Sequence, residues 1–171
     1  MVDDPTRNPL SASSSGPVDI FRDTPVRYLG YANELGESFR LVAPWCVAPS
    51  YVVSAMYVLG DTVSKGRAAS AAQLGLTAEE VAKQPSVGAT VVDTLVWQTL
   101  ASVMVPGYTI HSVVKATNMA VQSQKASIPL VARRWLPTAV GLGCIPLVIH
   151  PIDHFVHWAM DNTCRPLYFG R

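Results

Sequence analysis

Three stretches of this chain contain no Asp, Glu, Lys or Arg: residues 41–60, 94–114 and 135–152. Each is sharply bounded, by Arg40 and Asp61, by Asp93 and Lys115, and by Arg134 and Asp153. A helix needs about 20 residues to cross a hydrocarbon core of roughly 30 Å. The first two runs are long enough and the third just reaches. A soluble helical domain would have to bury all three, and in 171 residues too little polar sequence remains to cover them. Composition agrees, with 49% hydrophobic and 15% charged residues, against roughly 25% charged in soluble domains. The reading is an all-α membrane protein with about three transmembrane helices, over about 41–60, 89–114 and 135–152.

The flanks carry the residues that a bilayer interface selects. Trp45, Tyr51, Tyr57, Trp97, Tyr108 and Trp135 lie near span ends, with Arg40, Arg133 and Arg134 at the boundaries. Prolines 44, 49, 106, 137 and 146 imply kinks or short segments, which membrane helices tolerate better than soluble ones.

Ahead of the first span, residues 19–40 read as an amphipathic interfacial helix. Thr24 can cap it and Pro25 suits its first turn. Leu29, Ala32, Leu35, Gly36 and Phe39 recur on one face, while Arg27, Glu34, Glu37 and Arg40 lie elsewhere. Such a helix lies along the membrane surface or packs on the other helices, and Gly30, Ala32 and Gly36 are small enough for close approach. Residues 1–18 are a flexible polar tail with serines at 11–15, leaving 19–171 as one helical membrane domain. Between the first two spans, Thr77 followed by Glu79 and Glu80 predicts a short capped helix. Residues 112–129 continue the second helix or form a surface turn.

Several functions are disfavoured at this level. A net charge of +1 leaves no basic excess for nucleic acid. Cys46, Cys144 and Cys164 are scattered and odd in number, so they read as reduced thiols. The N-terminus has no apolar core for a secretory signal, and Asp3, Asp4 and Asp19 do not fit a mitochondrial transit peptide. Any organellar address is expected to be internal.

Two constellations invite a chemical reading. Asp93 is a lone acid opening the second apolar run, and a structural partnership with an Arg or His of another helix explains it best. His150, Asp153, His154 and His157 share a face if their helix is continuous, a spacing compatible with zinc. Pro151 disfavours helical geometry at His150, so the expectation is that the third span ends here and Asp153 caps a short interfacial helix. No phosphate loop or nucleophile motif is present. The chain therefore reads as non-enzymatic, with no cofactor and no metal. Counting Lys and Arg, eight fall on the N-terminal segment and the 112–134 loop, and five on the 61–93 loop and the tail. The positive-inside rule then places the N-terminus on the more positive side.

The runs "RYLGYANELGESFR", "VVDTLVWQTLASV" and "IHPID" occur in that order. Together they resemble the mitochondrial fission process protein 1 family over about residues 19–169. His154 and His157 fall outside the motif. The resemblance implies a multi-pass protein of the mitochondrial inner membrane that supports fission and membrane integrity without catalysis. It marks Arg27, Tyr28, Gly30, Asn33, Glu34, Gly36, Asp93, Trp97, His150, Pro151 and Asp153 as structural, helix-packing positions. The expected partners are inner-membrane proteins and membrane lipid. The alternative is an accessory subunit of a respiratory-chain or ATP synthase complex.

Overall fold

The computed structural model describes residues 20–124 and 128–169. The polar tail expected over 1–18 lies outside the described residues. The described residues form helices and short connections. In chain order these are α1 (Ile20–Asp23), a 3-10 helix (Pro25–Tyr31), α2 (Ala32–Ser38), a 3-10 turn (Pro44–Cys46), α3 (Val47–Gln73) and α4 (Ala78–Ala82). There follow α5 (Val87–Gln98), a π-helical segment (Thr99–Met104), α6 (Val105–Ser123), α7 (Leu130–Asn162) and α8 (Arg165–Phe169). Three helical stretches, Pro44–Gln73, Ala78–Ser123 and Leu130–Leu167, are long and apolar enough to cross a membrane.

Local signals account for many of the boundaries. The Thr24 hydroxyl accepts from the Val26 amide at 3.2 Å and opens the 3-10 helix, with Pro25 in its first turn. Thr77 and Glu80 form a reciprocal capping box at α4, and Ser86 caps α5. The π segment sits just before Pro106. A proline in a helix has no N–H to donate and its ring crowds the carbonyl four residues back. A wider turn relieves that crowding and releases carbonyls for other donors.

The first leg of the chain lies along α3 in the opposite direction. Phe21 stacks edge-on against Tyr57 at 5.6 Å between ring centroids, and the Tyr57 hydroxyl donates to the Phe21 carbonyl at 3.0 Å. Further along, Asn33 meets Ser54, and Gly36 meets Ser50. Against the π segment and α6 the same leg runs parallel, with Asn33 at Val103 and Glu37 at His111. α6 and α7 form an antiparallel hairpin, with Gly141 close to Val114.

Beside a small apolar core of Ala101, Ile152, Val156 and Met160, burial departs from that of a soluble protein. Asn33, Glu34, Glu37, Ser38, Ser54, Asp61 and Gln98 are buried, while Leu29, Leu35, Met56, Leu59, Met104 and Leu147 are exposed. In lipid, apolar surface has no reason to hide, and helices associate through small residues and polar contacts. The amphipathic leg follows this rule. Its polar face packs on the other helices, and Leu29 and Leu35 point away from them.

One expectation is corrected. α7 does not end near Ile152, and no separate short helix begins at Asp153. The helix runs through Pro137, Pro146 and Pro151 to Asn162, because freed carbonyls can be accommodated within a membrane bundle. Since the first leg doubles back along α3, Arg27 lines a cavity with Trp97 and Asp153.

Candidate functional site

Four polar nodes hold the helices together. The first is Asn33. Its backbone N–H donates to the Ser54 hydroxyl at 3.0 Å, that hydroxyl donates to Asn33 Oδ1 at 2.8 Å, and Asn33 Nδ2 donates to the Val103 carbonyl at 3.1 Å. The acceptor lies in the π segment, where the widened turn presents a carbonyl. Gly107 makes the approach possible, since a Cβ there would stand 3.0 Å from Asn33 Nδ2 and 2.8 Å from the Tyr51 hydroxyl.

The second node is Glu37, whose side chain is only 2% exposed. Its carboxylate accepts from Arg40 Nε at 2.6 Å and from the Tyr51 hydroxyl at 3.0 Å, and lies 3.1 Å from His111 Nδ1. One carboxylate thus joins the end of α2 to α3 and α6. Burial pushes its pKa up, but the hydrogen bonds from Arg40, Tyr51 and His111 outweigh burial and hold it below the ordinary carboxylate value. Glu34, one turn earlier, is treated differently. Neither of its carboxylate oxygens has a hydrogen-bond partner, and burial pushes its pKa up to about 8.

The third node joins α3 to α5. Gln98 donates to Asp61 and accepts from Ser102 at 2.7 Å, with Lys65 Nζ 3.9 Å from Asp61. The fourth is a clamp at the chain's C-terminal end. Arg165 of α8 grips Asp93 of α5 with two bonds, at 2.8 and 3.1 Å, and donates to Asp161 at 2.7 Å.

Between the first leg, α5 and α7 opens a cavity of about 410 Å³. Arg27 and Asp153 bring opposite charges to its wall, with Tyr31, Tyr57 and Trp97 as aromatic sides. His157 reaches it from α7, its ring 5.0 Å from that of Trp97. Of the positions marked in the sequence, Arg27, Gly30, Trp97 and Asp153 meet here. Asn33, Glu34 and Gly36 lie in the polar interior instead, and Asp93 in the Arg165 clamp. Tyr28, His150 and Pro151 are brought to neither and stand exposed. Among the described residues no group of three or more His, Cys, Asp or Glu could hold a metal ion.

Several members of these nodes were not singled out in the sequence: Glu37, Ser54, Asp61, Gln98, Ser102, His111 and Arg165. The available signal was weak. Gln98 and His111 are polar residues inside an otherwise apolar run, and Glu37 repeats Glu34 at helical spacing.

The arrangement can tether helices and present a mixed-charge pocket at one end of the bundle. An exposed apolar shell around buried polar ties defines a polytopic helical membrane protein. Over residues 19–160 the chain matches the mitochondrial 18 kDa protein (MTP18) family, and it belongs to that family. It is 47% identical to mitochondrial fission process protein 1 of Danio rerio over 161 residues, covering 94% of each chain. It is 46% identical to the Homo sapiens protein of that name over 151 residues, 88% of each chain. The Caenorhabditis elegans protein is also 46% identical, over 88% of this chain and 89% of its own. No solved structure matches the chain.

Proposed function

We propose that the protein acts in mitochondrial fission as a non-enzymatic component of the inner membrane and helps keep that membrane intact. The relatives are named for the fission process, and this reading carries that role to the present chain. It acts through contacts within the bilayer and with neighbouring proteins. The observation that carries this is the use of the polar groups between helices: Asn33, Glu37, Gln98 and Arg165 each tie one helix to another. Their donors and acceptors are turned toward each other, while the exposed apolar side chains on the outside of the bundle are available to lipid and to partner helices.

Depleting the protein in cells should leave an elongated mitochondrial network, and an unchanged network would remove the fission role. Location is read by protease access. The 61–93 loop or the tail should resist protease in intact mitochondria, and cleavage at that stage would place the chain in the outer membrane. Gentle solubilisation then measures what travels with it. One-to-one co-migration with a respiratory or ATP synthase complex would favour an accessory subunit over a free membrane protein.

A further inference from the structure

The start of α7 is electrostatically unfavourable as it stands. Its N-cap is Pro129, no side chain caps the opening amides, and the first turn contains no acid. Helix N-termini carry free N–H groups and partial positive charge, which favour an anion. This one carries Arg133 and Arg134 instead. Neither side chain forms a hydrogen bond or ion pair with another described residue, and Arg133 Nε is buried without a partner. The sequence provides no local remedy, because no acidic residue occurs between Asp93 and Asp153. The nearby carboxylate at this end, Glu37, is already engaged by Arg40, Tyr51 and His111.

The two arginines line a pocket of about 750 Å³ between the end of α6 and the start of α7. Asn118 and Gln122 bring amide donors to it. Its rim is apolar, with Leu41 and Leu130 both exposed, and Trp135 stands where the third uncharged run begins. Cationic donors beside an apolar rim at a span boundary match a molecule that is anionic at one end and hydrocarbon at the other.

We propose that this pocket holds the headgroup of an anionic phospholipid. The phosphate oxygens accept from Arg133 and Arg134 and lie at the uncapped start of α7, and the acyl chains follow the exposed face past Leu41 and Leu130. Trp135 sits at headgroup level, as interfacial tryptophans do. The inference rests on the membrane-spanning fold and not on a role in fission.

The test uses the full chain purified in detergent. Cardiolipin, phosphatidylglycerol, phosphatidylcholine or inorganic phosphate is added, and retained lipid is counted by native mass spectrometry beside a thermal melt. The expected result is about one retained anionic lipid per chain with a raised Tm, and neither effect from phosphatidylcholine. The R133Q/R134Q double variant should retain that lipid about tenfold less well or worse, since even one charge-assisted hydrogen bond is worth about that factor. The R67Q/K83Q variant removes the same charge at the opposite end and should retain it normally. Without lipid, R133Q/R134Q should melt no lower than the unaltered chain, because two cations have left a helix N-terminus. A lower lipid-free melt would mean the arginines are structural and would overturn the proposal. So would equal retention of phosphatidylcholine or unimpaired retention by R133Q/R134Q. Stabilisation by inorganic phosphate equal to that by lipid would identify a free-anion site and reject the lipid.

Discussion

Asn33 Nδ2 donates to the carbonyl of Val103 across a separation of 70 residues, at 3.1 Å. That bond joins the leg preceding the spans to the centre of the second span, at the place where its helix widens into a π turn. Asn33→Ala removes it and leaves the Ser54 hydroxyl without its side-chain acceptor. A loss of roughly 1–3 kcal/mol is expected, read as a lower melting temperature in detergent. An unchanged melt would show that this link does not hold the leg in place.

Close packing of the same leg gives a steric prediction. A Cβ on Gly36 would lie 1.9 Å from Ser50 Oγ and 2.7 Å from Ser50 Cβ. Gly36→Ala should destabilise by about 1–3 kcal/mol through overpacking. Gly143 has nothing within 4 Å of a built Cβ, so Gly143→Ala should be neutral or slightly stabilising, alanine being the better helix former. Adding Ser50→Gly should recover much of the Gly36→Ala loss. A Gly36→Ala chain as stable as Gly143→Ala would rule the contact out.

Glu34 and Glu37 should pull stability in opposite directions with pH. Burial raises the Glu34 pKa from 4.5 to about 8, so the folded chain holds a proton that the unfolded chain releases. Its contribution is largest below about pH 4.5 and is lost progressively as pH rises to about 8. Glu37 has a lowered pKa in the fold, so its contribution is present above the unfolded value and is lost as pH falls through the folded one. Melts of Glu34→Gln between pH 6 and 9 should lack the decline seen in the unaltered chain. A parallel decline in both would assign the slope to another group.

The Arg165–Asp93 clamp is largely shielded, with side-chain exposures of 20% and 19%. A double-mutant cycle with Asp93→Asn and Arg165→Gln should give a coupling of roughly 1–3 kcal/mol, above the range of exposed surface pairs. Additive single losses would show that Arg165 acts instead through Asp161 and through His157, whose Nδ1 lies 3.1 Å from Arg165 Nη1. Arg165→Lys should recover only part of the effect, because lysine cannot reproduce the two-pronged grip.

The number of spans, the all-helical class and the cap at Thr77 were legible from the chain alone. An uncharged run compares directly with the thickness of a bilayer, and a capping box is settled within four residues. Both are one-dimensional properties. The first leg was also legible as amphipathic, but not which residues meet protein: Gly36, grouped in the sequence with Leu29 and Leu35, packs on Ser50 while those two stay exposed. Amphipathicity has the same period whether the polar side points to water or into a polar core. Only packing against Ser50, Ser54, Val103 and His111 decided that Asn33 and Glu37 turn inward and Leu29 and Leu35 outward.

The same limit applies to the partners. Asp93 invited one in the sequence, yet Arg165 lies 72 residues away, and charge alone did not select it over other cations. Pro151 looked like a stop, because proline removes one hydrogen bond wherever it stands. Whether that ends a helix depends on what surrounds the freed carbonyl, and α7 passes through it to Asn162. The sequence by itself determined that this chain is a three-span membrane protein, since hydrophobic length is enough for that. The tertiary structure decided which polar groups meet inside it, because those contacts come from residues far apart in sequence that only helix packing brings within hydrogen-bonding distance.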